Sequence, residues 1–437
     1  MIEGPHSRSM TYVVHLRFHG QLDATAMESA IVNCVRFHPL LSSMIHSGDD
    51  PGEYYWVAVP EPHPFISIDD LTCKFEFPVV EPIDLQTEIG LRVWIRHGND
   101  LVDMRFQFHH ACCDGLGAFQ MIEDVLSHYD CTVRQNPVVH QSLPMDEHAH
   151  QLRFSRPQHR LGLANRVIRS TVVLPIRIVK LFAQRPDPIH SKPLLDCQAS
   201  SSTTLPNPLF HEFSREESQS LCQIPRQLGA TVNDFLLCNY LLAIDHWNEI
   251  HGSSSSKNLR LLVPFSLRPV ALEKTPVVNC VSMVYVAANR RLLKKPRQLL
   301  ASISKQRKFI RRWQIEYSWN QTAALVASSK VVIRLLKNRA QRRLATSVFS
   351  NLGELFRHTS LPFVNGEISC GRLILKSVLT TPPANASAGV TFTCSTYAEK
   401  LAITMNFHRP EFRESDAVRF LNLFVNRLQT VSNADWT

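Results

Sequence analysis

Residues 106–115 read FQFHHACCDG, placing two histidines, two cysteines and an aspartate within six consecutive positions. The residues before it, LVDMRFQFHH (101–110), alternate, with Met104, Phe106 and Phe108 on one face and Arg105 and Gln107 on the other. A period of two is that of a half-buried strand, and its continuation carries His110 onto the apolar face. After Gly115 the period changes. Leu116, Phe119, Ile122, Leu126 and Tyr129 recur every three or four residues, as on one face of an amphipathic helix. HHACCDG therefore occupies the turn between a strand end and a helix start, where rigid elements on both sides can hold reactive groups.

The residue types allow several chemistries. Zinc ligands normally come in pairs two to four residues apart, because adjacent side chains diverge too far to close one tetrahedron, and the chain has no CxxC pair. A cysteine nucleophile needs a base that lowers its pKa, and adjacency supplies no such geometry. Small, apolar-tolerant packing beneath the turn is the plainer reading of Cys112 and Cys113. Histidine suits proton transfer at neutral pH, since its ordinary pKa is about 6.5, provided the ring is held in one tautomer. Asp114 is placed to orient a histidine, to cap the following helix or to pair with an arginine. Gly115 leaves room for close approach of a substrate to the backbone.

Outward from this stretch the chain mixes strands and helices. TYVVHLRFHG (11–20) alternates, and LDATAMESAIVNCVRFHPLL (22–41) is a helix with Asp23 or Thr25 as N-cap, Thr25 and Glu28 being spaced as a capping box. YYWVAV (54–59) and IGLRVWIRHG (89–98) are short strands. In the second half GATVNDFLLCNYLLAIDHWNEI (229–250) is a long apolar helix, followed by the strand LRLLVPFSLRP (259–269). VTFTCSTYAEKLAITMNFHRP (390–410) is a strand pair, and a closing helix runs from about Ser415 to Val431. Polar, Pro-bearing stretches at 132–160 and 195–208 flank a basic helical segment. The expected division is an N-terminal half, 1–150, a basic crossing, 151–205, and a C-terminal half, 206–437, as α/β units with mixed sheets. No Gly-rich phosphate loop and no internal repeat is present.

A length of 437 residues accommodates two hydrophobic cores, and 44% hydrophobic with 19% charged residues is globular rather than disordered. No apolar run reaches the roughly 18 residues of a spanning helix, and MIEGPHSRSM lacks a secretory apolar region, so a cytoplasmic location is expected. The 11 scattered cysteines resemble reduced thiols more than a disulfide framework. The net charge of +9 is local: 153–185 holds eight Lys or Arg and no acid, and 305–343 holds eleven with only Glu316 opposing. Together these segments exceed the whole net charge, so the rest of the chain is net acidic. Solvated helix faces, an anionic ligand and an anionic membrane all fit such basicity. No zinc-finger or RRM-type context accompanies it, and no nucleic-acid function is expected.

HHxxxDG, here His109, His110, Ala111, Cys112, Cys113, Asp114 and Gly115, resembles the signature of the acyltransferase superfamily that includes chloramphenicol acetyltransferase, condensation domains, wax ester synthases and alcohol acetyltransferases. LRFHGQLDATAMESAIVNCVRFHPLL, GATVNDFLLCNYLLAI, LLVPFSLRP, FSNLG and TTPPANASAGVTFTCSTYAEKLAITMNFHRPEF follow in the order of that family's elements. The resemblance implies two chloramphenicol-acetyltransferase-like halves forming a V around a central tunnel, and transfer of an acyl group from a CoA thioester to an alcohol or amine. It assigns His110 as general base, His109 as a positional residue, Asp114 as the partner of an arginine for which Arg268 is the candidate, and Gly115 as clearance for the thioester. A catalytically silent binding or scaffold protein, or transfer from a carrier-protein thioester, is the alternative. The family's DFGWG signature of plant members is absent, and the short stretch before the first strand and the lack of a following carrier domain imply a free-standing enzyme. No permanent cofactor and no metal is implied; acyl-CoA is a co-substrate. Segments 165–182 and 329–343 mix Val, Ile and Leu with Arg and Lys, which adds peripheral membrane contact to the expectations.

Overall fold

In a computed structural model the described residues are 10–49, 53–73, 81–136, 161–191, 208–252, 256–268, 277–317, 344–383, 389–407 and 412–431. The first part comprises β1 (Thr11–Gly20), α1 (Ala24–Arg36), the ribbon β2 (Ser43–Ser47) and β3 (Tyr54–Ala58), β4 (Phe65–Asp70), β5 (Leu91–Gly98), β6 (Leu101–His109) and α2 (Gly115–Val133). A basic helix follows as α3 (Leu163–Ile168), a π-type turn (Arg169–Val173) and α4 (Leu174–Ala183). The remainder is β7 (Leu209–Glu212), α5 (Arg215–Gln227), α6 (Val232–His251), β8 (Asn258–Ser266), β9 (Val281–Asn289), α7 (Arg290–Leu293), α8 (Pro296–Trp313), β10 (Ser347–Glu354), β11 (Phe363–Val364), β12 (Glu367–Cys370), β13 (Leu373–Thr381), β14 (Val390–Tyr397), β15 (Lys400–Phe407) and α9 (Glu414–Thr430).

Two mixed sheets result. The first has the order β11-β12-β13-β1-β6-β5-β4 and the second β7-β15-β14-β10-β8-β9. β4 pairs with β5, and β10 with both β8 and β14, in parallel; the other pairs are antiparallel. The boundary read at 205/206 divides the chain but not the sheets, because β11–β13, far along the chain, complete the first sheet against β1. An apolar alternation states that a strand is half-buried and leaves open which sheet it joins.

Each sheet covers its own core. In the first, Val14, Leu16, Phe18, Phe106 and Phe108 meet Ile31 of α1 and Val125 of α2. In the second, Tyr240 of α6 packs against Phe349, Phe392, Phe420 and Phe424. Each such side chain contributes roughly 1.5–3 kcal/mol by leaving water. α6 is buried along most of its length, which explains its lack of a polar stripe, and it starts in a capping box of Thr231 and Asp234. The N-cap of α1 is Asp23, whose carboxylate accepts from Ala26 N–H; Thr25 lies inside the helix, so the Thr25–Glu28 box expected from spacing does not form. Asn99 and Asp100 take positive φ (50° and 58°) between β5 and β6, as a tight two-residue hairpin requires.

Candidate active site

β1 and β6 pair with Thr11 opposite His109 and Tyr12 opposite Phe108, which brings the end of β6 beside the start of β1. Beyond β6 the His110 N–H donates to Met10 O at 2.9 Å, and Cys112 N–H to His109 O at 3.0 Å, closing the turn. His110 continues the apolar face: its ring lies 5.2 Å from that of Tyr12, which in turn stacks on Phe108. His109 faces the other way and is 3% exposed. Its Nδ1 accepts from Ala111 N–H at 3.1 Å, and burial pulls its pKa down to about 4, so it is a neutral brace of the turn at pH 7.

Asp114 both caps and pairs. It is 1% exposed. Oδ1 accepts from Gly117 N–H at 2.9 Å, capping α2, while Oδ2 accepts from Arg268 Nη1 at 2.6 Å and from Cys280 N–H at 2.7 Å. Its carboxylate bonds run to these groups and not to either histidine. Burial alone would lower the Arg268 pKa; the charge of Asp114 and its hydrogen bond outweigh that and raise it. Arg268 Nη2 also donates to Val278 O at 2.7 Å. The candidate site residues His109, His110, Asp114, Gly115 and Arg268 thus form one constellation, although 154 residues separate the ion pair.

Several participants were not evident from the sequence. Tyr12 donates its hydroxyl to Asp114 O at 2.9 Å beneath the turn, and burial pushes its phenol pKa well up. Tyr12 lies on the apolar face of β1 with Val14, Leu16 and Phe18, and a buried hydroxyl needs a partner; that was the available signal. Asn279 reaches His110 from the other half, with its amide nitrogen 2.7 Å from the His110 carbonyl oxygen and 3.0 Å from Nδ1. A single amide inside the apolar run Val277, Val278 and Cys280 was its signal. Gly117 sits at a close approach: a Cβ there would lie 3.1 Å from Cys113 Cβ and 3.2 Å from Arg268 Nη2, so those neighbours would have to shift. A Cβ on Gly115 would meet Leu352 Cδ2 at 2.8 Å, so the space beside Gly115 holds a side chain of β10.

Cys112 and Cys113 are fully buried, and burial raises the Cys113 thiol pKa well above its usual value. A thiol so placed is a packing group rather than a nucleophile. Among the described residues no group of three or more His, Cys, Asp or Glu converges as a metal site requires, and no helix is long and apolar enough to cross a membrane.

No protein-family model matches the chain, and no curated protein matches it in sequence. Solved structures do. SgcC5 from Streptomyces globisporus, crystallised with (R)-(-)-1-(2-naphthyl)-1,2-ethanediol and sucrose, is similar with a TM-score of 0.66 at 14% identity, over 98% of this chain and 94% of that one. The first condensation domain of the calcium-dependent antibiotic synthetase, in complex with a substrate analogue, gives 0.65 at 13% identity over 96% and 90%. A variant of the starter condensation domain of rhizomide synthetase RzmA, in complex with C8-CoA and Leu-SNAC, gives 0.67 at 12% identity over 99% and 91%. At such identities the likeness is one of fold. This chain has the mixed-sheet α/β fold of condensation domains, made of two chloramphenicol-acetyltransferase-like halves.

Proposed function

We propose that this chain transfers an acyl group from a CoA thioester to an alcohol or amine, with His110 acting on the reacting atoms. The observation that carries the reading is the constellation at the His110 turn. A buried ion pair from the two halves, Asp114 with Arg268, anchors a histidine whose ring is held by Tyr12 on one side and Asn279 on the other. The RzmA domain bound to C8-CoA supports a CoA-linked donor; a carrier-protein thioester is the alternative donor, and a silent binding protein the alternative function. His109, Asp114 and Arg268 support the turn. Clearance for a thioester at Gly115 requires the Leu352 side chain to swing aside or to form the wall it passes.

As general base, His110 would take the acceptor's proton at Nε2, a contribution of roughly 10²- to 10⁴-fold, with alignment of the two substrates supplying much of the rest. Thiol release from a panel of acyl-CoAs with alcohols and amines tests the reading. Turnover that falls at least a hundredfold in His110→Ala is expected; equal turnover by that variant refutes the role of His110, and tight CoA binding without thiol release favours the silent protein.

The basic helix supports a membrane partner. Val167 (53%), Ile168 (42%), Val172 (48%) and Ile176 (50%) are exposed along it, flanked by the exposed Arg166 and Lys180, and Arg260 holds its end by donating to Gln184 O at 3.0 Å. Apolar groups beside cations suit an anionic bilayer surface. The second segment, 329–343, lies outside the described residues. Co-sedimentation with anionic vesicles is expected, and its absence removes this partner.

A further inference from the structure

Burial around the His110 turn decides from which side a substrate comes. His109, Cys112, Cys113, Asp114 and Gly117 are closed off, and between 109 and 117 only His110, Ala111, Gly115 and Leu116 are partly exposed. Leu352 of β10 stands against this strip and is itself partly exposed, although Ser347, Val348 and Phe349 of the same strand are buried. Phe349 belongs to the second core; by alternation Val348, Ser350 and Leu352 take the opposite face of β10, and Leu352 packs against the first core. A substrate that reaches His110 over Gly115 therefore has Leu352 at its flank.

The backbone fixes Leu352 in that place. β10 and β14 are paired at Asn351 opposite Cys394 and again at Glu354 opposite Thr396, so three steps on β10 match two on β14. The extra residue is a bulge, a device that re-aims a side chain. Asn351 pins it twice: Oδ1 accepts from Gly353 N–H at 2.9 Å, and Nδ2 donates to Asn233 Oδ1, near the start of α6, at 3.3 Å. Gly353 itself takes a φ of 72°, which glycine adopts without strain. Between Gly115 and Leu352 there is no room for one methyl group, since a Cβ on Gly115 would lie 2.8 Å from Leu352 Cδ2 and 3.7 Å from Cδ1. The obstacle is the end of a side chain and not backbone, so its effect on a substrate is graded.

We propose that Leu352 is the residue that sets donor specificity: it forms the wall beside the thioester and restricts the donor to acyl groups unbranched at the carbon next to the carbonyl. The proposal rests on the acyl-transfer reading and leaves His110 its role there. A straight chain laid over Gly115 lies flat against the Leu352 side chain. A methyl branch next to the carbonyl asks for the space that a Cβ on Gly115 also lacks. One added carbon in an apolar pocket changes kcat/KM by roughly 10- to 200-fold, and a yielding wall puts the expected discrimination at the low end, about tenfold.

The test compares butyryl-CoA with isobutyryl-CoA, isomers that differ only in the branch, on the full chain and on its Leu352→Ala and Leu352→Phe variants. Thiol release with one acceptor held fixed gives kcat/KM for each donor. The wild type is expected to favour butyryl-CoA by about tenfold, Leu352→Ala to bring the ratio to within about twofold of unity, and Leu352→Phe to widen it, with KM for the acceptor changed less than about twofold. Titration calorimetry of the same two thioesters without acceptor reads the wall without turnover. There isobutyryl-CoA is expected to bind the wild type about fivefold more weakly, and the gap to close in Leu352→Ala. Equal handling of the two donors by the wild type overturns the proposal even if neither variant folds. An unchanged ratio in a folded Leu352→Ala, a change that falls on the acceptor instead of the donor, or failure of both thioesters to bind overturns it too. Absence of thiol release with every acyl-CoA sinks the acyl-transfer reading instead, and the calorimetric ratio then still decides the role of Leu352.

Discussion

Removing the charge of Asp114 tests the anchoring of the site most directly. In Asp114→Asn the Oδ1 side still caps α2, since asparagine caps as well as aspartate. The Oδ2 side becomes an NH2 facing two donors, Arg268 Nη1 and Cys280 N–H, which were bonded at 2.6 and 2.7 Å. The Arg268 side chain is only 11% exposed, so its charge loses the carboxylate that faces it at a largely buried position. Breaking a buried pair from one side costs about 3–5 kcal/mol, and a buried N–H left unsatisfied about 1–3 kcal/mol; the two overlap, so the expected loss is about 4 kcal/mol. Arg268→Met strands Asp114 instead, but two backbone N–H donors still serve the carboxylate, and the expected loss is about 3 kcal/mol. The double variant leaves neither charge unpaired, so a double-mutant cycle should return a coupling of about 2–3 kcal/mol. Urea unfolding followed by fluorescence measures all four proteins. Because the pair joins the two halves, the single variants should also broaden or split the transition. A loss below about 1 kcal/mol in Asp114→Asn, or a coupling below about 0.5 kcal/mol, refutes the anchoring argument.

Three further outcomes follow from the same turn. His109 is held neutral, with its pKa lowered from the ordinary 6.5 to about 4 by burial. The unfolded chain binds a proton below pH 6.5 that the folded chain refuses, so stability falls as pH drops from about 6.5 to about 4, by about 3 kcal/mol, and levels off below; His109→Gln should flatten urea midpoints across that window, and an unchanged slope contradicts the assignment. A Cβ on Gly90 would lie 2.2 Å from Cys112 Sγ, so Gly90→Ala should cost about 1–3 kcal/mol in thermal melts and Cys112→Ala on that background should restore part of it; a neutral Gly90→Ala removes the contact from consideration. Peptide mass spectrometry after native labelling with a thiol reagent should find Cys73, which is exposed, modified and Cys112 and Cys113 protected; early labelling of either of the latter disproves their packing role.

The sequence alone determined the local part of this protein. Alternation up to His110 and helical spacing from Leu116 located the strand, turn and helix that frame HHACCDG, and the paired strands near the end were equally plain, since periods of two and 3.6 are written in neighbouring residues. Arg268 was legible only through a family resemblance; its residue type carried no sign of Asp114. What tertiary structure decided lies where distant segments meet: the passage of β11–β13 into the first sheet, the placing of Asn279 on His110 across 169 residues, and the glycines at 90 and 117 that make room for Cys112 and Arg268. The physical reason is that local periodicity says which face of an element is buried, while its partner is set by the packing of two sheets and by the need to satisfy buried polar groups from whatever chain segment lies within reach.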